Sequence, residues 1–100
     1  MDCQNIHYAA INNHYDCFVY YFCLNKSNTS FQLEDYILTS IAEHKYYKLI
    51  DYCLEQKSYD LNNYINLTNE KFINFVKQFN YQDIENYPFL KDFFSSLFTV

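Results

Sequence analysis

Two pairs of residues near the start of the chain have the spacing of metal ligands. Cys3 and His7 are four positions apart, and His14 and Cys17 three. Each spacing puts both side chains on one face of a helix, and two thiolates with two imidazoles make a zinc set. The short C-x₂₋₄-C pair that opens most structural zinc sites is absent. Cys17 beside His14 also carries the parts of thiolate catalysis, in which an imidazole takes the proton of a nucleophilic thiol. Cys17 falls inside an apolar stripe, however, where a thiol is a structural residue. Glu34-Asp35 stands where a helix begins and reads as a cap rather than an acid–base pair. No loop can cradle a phosphate, because the chain has no glycine. The pairs Tyr20-Tyr21 and Tyr46-Tyr47, with Tyr52, could stack on bases. With no arginine to accompany them, core packing and half-buried rims are the better account. The residues therefore predict no catalytic site, no metal and no cofactor.

Composition narrows the remaining classes. One hundred residues make a single domain, 1–100, and the hydrophobic half of them, with 12 Tyr and 10 Phe, supports a folded core. The net charge is −5, and the seven cations are scattered lysines. That balance argues against nucleic acid, whose phosphates need clustered cations. No basic amphipathic segment and no apolar run near ~20 residues is present, so no membrane partner is expected. The start, MDCQNIH, lacks a basic stretch followed by an apolar core. The expectation is an intracellular, cytoplasmic protein whose cysteines (Cys3, Cys17, Cys23, Cys53) are free thiols.

Apolar periodicity then supplies the elements. Ile6–Asn12 reads as a short helix ended by Asn12-Asn13-His14, because Asn tolerates the left-handed conformation. A second helix, Asp16–Leu24, carries Cys17, Phe18, Tyr21, Phe22 and Leu24 as its apolar positions. After a polar linker anchored by Phe31 and Leu33, Glu34 or Asp35 caps a helix over Tyr36–Glu43. Tyr46–Gln56 follows, with Leu49, Ile50, Cys53 and Leu54 as its stripe. The second pair repeats the first at an offset of 31 residues, Ile6 on Ile37 and Asn13 on His44. Thr68 or Asn69 caps a further helix through about Asn80, with Phe72, Val76 and Phe79 apolar. Pro88 suits the first turn of a last helix to about Phe98. Its Leu90, Phe94 and Leu97 are expected to pack on the helix bearing Phe72, leaving part of its aromatic surface exposed.

The first helix pair resembles the ankyrin repeat. Gln4-Asn5-Ile6-His7-Tyr8-Ala9-Ala10 answers the family's Thr-Pro-Leu-His-x-Ala-Ala, Asn13-His14 its Gly-His, and Asp16-Cys17-Phe18 its acidic-aliphatic-aliphatic run. Ser58-Tyr59-Asp60-Leu61-Asn62 is similar to the Gly-Ala-Asp-Val-Asn that enters the next finger loop. The resemblance covers about residues 4–66. It implies an all-α fold of stacked antiparallel helix pairs, an ankyrin-like solenoid. The units fall at about 4–33 and 34–66, with an irregular helical pair over 67–100. It also implies that His7 and His14 hydrogen-bond backbone and neighbouring loops. A protein–protein interaction scaffold with no catalysis of its own follows, binding through the first helices and the finger. The positions carried over are Tyr8, Ile11, Asn12, Thr39, Ala42, Glu43, Lys57, Tyr59 and Asn62. The rival reading is a small all-α bundle with a structural or self-associating role. Under either reading the apolar C-terminal helix is a candidate surface for self-association.

Overall fold

Asn5 starts the first helix. The computed structural model describes residues 5–25, 32–59 and 65–98, with the backbone alone at 58 and 59. In it the Asn5 side chain accepts from the Tyr8 N–H at 2.8 Å, and α1 runs over Ile6–Ile11. A cap of this kind satisfies an orphan donor of the first turn and contributes ~1 kcal/mol. The helix ends on a reversal made without glycine. Asn13 takes φ 55°, its N–H donates to the Ala10 carbonyl at 3.3 Å, and the His14 N–H donates to the Ala9 carbonyl at 2.8 Å. Those two bonds form a Schellman termination. α2, Tyr15–Asn25, begins directly after it.

The same termination recurs in the next pair. α3 spans Asp35–Glu43, with Glu34 at its N-cap position but no side-chain capping bond. Lys45 takes φ 60° and donates to the Ala42 carbonyl at 3.1 Å, and the Tyr46 N–H reaches the Ile41 carbonyl at 3.0 Å. α4 then runs over Tyr47–Tyr59. Each group stands 32 positions after its counterpart, Lys45 after Asn13 and Ile41-Ala42 after Ala9-Ala10. The offset of 31 is thus one residue short. His44 is the C-cap at φ −87°, and the reversal falls on Lys45. Burial decides this register. Ala9, Ala10, Ile41 and Ala42 are at most 1% exposed, so the exposed lysine takes the left-handed conformation although its type disfavours it.

The last third reverses differently. Asn69 caps α5, Glu70–Lys77, accepting from the Lys71 and Phe72 N–H groups at 3.0 and 3.2 Å. α5 stops short of the expected Asn80, which instead caps a four-residue helix, α6, Tyr81–Ile84, left unassigned by periodicity. Pro88 opens α7, Pro88–Ser96, as its composition predicts. Its next two N–H groups, Phe89 and Leu90, both donate to Oδ1 of Asp51 on α4, at 2.9 and 3.0 Å.

The helices pack in two series. α1 lies against α3 and α3 against α5, while α2 lies against α4 and α4 against α7. Between the series sit Phe18 and Phe22, edge-on to Tyr52 at 6.2 and 5.5 Å, with Leu49 and Ile50 fully buried. Three expectations change here. α7 packs chiefly on α4 rather than on α5, because α5 already faces α3 and Asp51 holds the start of α7. From α5 the contact is Phe72 against Phe93 at 5.7 Å, while Phe94 turns to Tyr81 and Phe98. Leu24 leaves the apolar stripe of α2 and is 56% exposed. Cys23 and Cys53 are free thiols, but Cys17 is disulfide-bonded, against the expectation of four free thiols. Among the described residues all regular structure is helical, and no helix is long and apolar enough to cross a membrane. The anchor Phe31 and the finger residues Asp60, Leu61 and Asn62 lie outside the described residues.

Candidate interaction groove

Each helix of the α1–α3–α5 series buries one face and shows the other. On α3 the buried face is Ile37, Leu38, Ile41 and Ala42, which leaves Asp35, Thr39 and Glu43 on the outer side. On α5 the buried pair Phe72 and Val76 leaves Glu70, Lys71, Asn74 and Gln78 outward. The two outer stripes form the walls of an open groove. Its larger section, about 600 Å³, lies among Asp35, Tyr36, Glu43, Glu70 and Lys71. A second section, about 450 Å³, continues past Asn74 and Phe75 to Gln78. Thr39, Glu43 and Lys71 border both.

Side-chain bonds from the start of α5 tie the two walls together. Asn69 caps α5 through its oxygen, and its Nδ2 donates to the Thr39 Oγ1 at 3.1 Å and to the Asp35 carbonyl at 3.4 Å. The Asn66 Nδ2 adds a bond to the Asp35 carboxylate at 3.4 Å. The cap of one helix is therefore also its tie to the neighbour. Three carboxylates line this section, Asp35 and Glu43 from α3 and Glu70 from α5, with one ammonium, Lys71 on α5, among its described lining residues.

The nine residues expected to contact a partner do not form one surface. Thr39 and Glu43 line the groove. Tyr8, Ile11 and Asn12 sit around the end of α1, where the Tyr8 ring meets His14 edge-on at 5.9 Å. The Asn12 Nδ2 donates to the Tyr8 carbonyl, and the Tyr46 hydroxyl donates to the carbonyl of Ile11, which is itself 46% exposed. Ala42 is 1% exposed and cannot touch a partner, since the one-residue slip in register had placed it opposite Ile11. At the 32-residue offset Ile11 corresponds to Glu43, which is exposed. Lys57 is half-buried on α4, in the other series. The Tyr59 side chain and Asn62 lie outside the described residues. Sequence reasoning missed the whole α5 wall. Its signal was present as polar residues at Glu70, Lys71, Asn74 and Gln78, a helical stripe opposite Phe72 and Val76.

His7, His14 and Cys53 make packing contacts, while Cys3 lies outside the described residues. His7 lies against Tyr36 at 5.2 Å, and the buried Nδ1 atoms of His7 and His14 have no hydrogen-bond partner among the described residues. Among the described residues, the bonds to backbone implied by the resemblance are not made through those atoms. Burial pushes the Cys53 thiol up, which keeps it protonated and non-nucleophilic. Burial likewise raises Tyr52, and a contact with the Cys23 sulfur at 3.6 Å adds to the shift. Tyr15 is raised by burial and then by Glu55, Asp51 and Asp16, with the Lys48 ammonium 4.2 Å above its ring. Among the described residues no three His, Cys, Asp or Glu side chains converge as a metal would require. No protein-family model, curated protein or solved structure matches the chain, so its likeness to the ankyrin family rests on its own residues.

Proposed function

We propose that this chain is a protein-binding module of the ankyrin-like kind, a short solenoid of stacked helix pairs that performs no chemistry of its own. The observation that carries this reading is the groove between α3 and α5. It is open, its walls are polar stripes on two neighbouring helices, and Asn69 ties them together. The glycine-free reversal repeated 32 residues apart supports the repeat character. Binding would use Thr39 and Glu43 with the α5 wall, and Ile11 and Asn12 at the flank. The test uses the full chain purified from the cells that make it. A protein should co-purify with the wild type and be lost from an Asn74→Arg, Gln78→Arg double variant, both positions being exposed. Retention of the same protein by a variant with unchanged melting temperature would remove the groove from the reading.

A cytoplasmic location belongs to this proposal. The free thiols of Cys23 and Cys53 accord with it, and the disulfide at Cys17 opposes it, because reducing compartments keep thiols open. A thiol count on protein alkylated inside the cell separates the two. A second reading, self-association through the C-terminal helix, draws on Phe98 and Tyr81, which are 56% and 47% exposed beside Phe94.

A further inference from the structure

Charge is unevenly spread in the α3–α5 groove, and the helix termini decide which part of it matters. Asp35 and Glu70 stand in the first turns of α3 and α5. There the positive end of each helix dipole already answers part of their charge, and the Asn66 amide takes a further share from Asp35. Glu43 is placed the other way. It lies in the last turn of α3, where the dipole is negative, and that turn holds no basic residue. It is exposed, and it borders both sections of the groove. The acid at the middle of the groove is thus the one least compensated by its own helix.

Beyond Glu43 the second section changes character. Phe75 is half-buried there between the amide side chains of Asn74 and Gln78. Lys71 borders both sections as well, yet one lysine leaves the groove's three carboxylates in excess by two. An occupant that offers a cation at the middle of the groove and an apolar group beside it is therefore favoured. From Asp35 to Glu43 is eight residues of helix, ~12 Å at 1.5 Å per residue, a length that about four residues of extended chain cover. We infer that the groove takes a basic polypeptide segment that sets a Lys or Arg against Glu43 and an apolar side chain against Phe75. This rests on the reading of the groove as the binding surface and names the class of partner. Complementary charge of this sort speeds encounter and rejects acidic competitors, and it weakens as salt rises.

The experiment measures fluorescence anisotropy of three labelled 16-residue peptides with the full chain. They alternate leucine and alanine with lysine, glutamine or glutamate at matched positions. The lysine peptide should bind, weaken with added salt, and lose about tenfold or more in affinity on Glu43→Lys, as close charge pairs do. Glu70→Lys should weaken it less, because the helix dipole already compensates that carboxylate. Equal or tighter binding of the glutamine or glutamate peptide, blocked by Asn74→Arg, would overturn the basic partner and leave the groove as a binding surface. Lysine-peptide binding indifferent to both Glu43→Lys and Asn74→Arg would overturn the partner and the groove together. No binding by any of the three peptides would overturn the basic segment alone, and the co-purification experiment would then judge the groove.

Discussion

The chain turns back on itself in two ways. Between α1 and α2, and again between α3 and α4, it reverses within a Schellman termination on Asn13 or Lys45. Between α5 and α7 no described residue has positive φ, and the chain instead passes through α6 under a new cap at Asn80. The first kind of turn is local, closed by two backbone bonds next to buried Ala9-Ala10 or Ile41-Ala42. The second borrows its orientation, since α7 receives its first hydrogen bonds from Asp51 on α4. A reversal that lacks a left-handed residue needs both extra chain and a distant side chain to aim the next helix.

The comparison is broken most severely at the buried positions of the local turn. Ile41 has 0% exposure, and its carbonyl closes the second reversal. Ile41→Ala should cost about 2–5 kcal/mol, through lost burial and a cavity. Its counterpart 32 residues earlier is small already, so Ala9→Leu tests the same site by overpacking and should cost about 1–3 kcal/mol. Urea denaturation measures both. A near-neutral result at either position would mean that burial does not set the register of these pairs.

The two ends of the molecule give the next contrast. Both expose apolar side chains, Tyr20 and Leu24 on α2 and Tyr81 and Phe98 at the α6–α7 end. The second set gathers three rings, with Phe94 4.9 Å from Phe98 and 6.5 Å from Tyr81, whereas in the first set Tyr20 pairs with Tyr21 at 5.3 Å. Burying one Phe side chain is worth roughly 1.5–3 kcal/mol. The wild type is expected to associate at high concentration in sedimentation, Phe98→Ser to stay monomeric, and Leu24→Ser to behave as wild type. A wild type that remains monomeric throughout would leave α7 as an ordinary closing helix.

Asp51 tests the borrowed orientation directly. Asp51→Ala leaves the Phe89 and Leu90 N–H groups without their acceptor and should cost about 1–2 kcal/mol, the range of a lost N-cap. The loss should be visible as faster amide exchange at Phe89 and Leu90 and unchanged exchange in α1. Asp51→Asn keeps an acceptor oxygen and should recover a large part of it. Equal exchange in all three proteins would show that Pro88 and packing alone start α7.

How much of this could be read from the sequence follows the same division. The four helices of the first two pairs were legible within two or three residues, because Asn5, Asn12-Asn13 and the apolar stripes are local signals. The register between the pairs was not. It rests on which of two adjacent polar residues, His44 or Lys45, takes positive φ, and side-chain type pointed to the histidine. The partner of α7 was illegible too, since nothing near Asp51 announces that its carboxylate caps a helix 38 residues later. Two of the groove's lining residues, Thr39 and Glu43, were among the positions carried over from the resemblance. The α5 wall was missed because its helix was read for its apolar residues alone.

The smallest effect sharpens the comparison most, because it separates the two registers with three single substitutions. A left-handed conformation costs an ordinary L-residue roughly 1–2 kcal/mol, and Asn less, since its short polar side chain bonds locally. Glycine removes that strain but gives back roughly 0.5–1 kcal/mol in added freedom of the unfolded chain. Lys45→Gly, at φ 60°, should therefore stabilise the protein by about 0.5 kcal/mol. Asn13→Gly, at φ 55°, should be close to neutral. His44→Gly should destabilise, because His44 has ordinary helical φ and its Nδ1 lies 2.8 Å from the Ser40 carbonyl. Under the 31-residue register the gain would fall on His44 instead. Parallel denaturant midpoints for the three variants decide it: a gain at His44→Gly with a loss at Lys45→Gly would restore the shorter offset and return Ala42 to the exposed face.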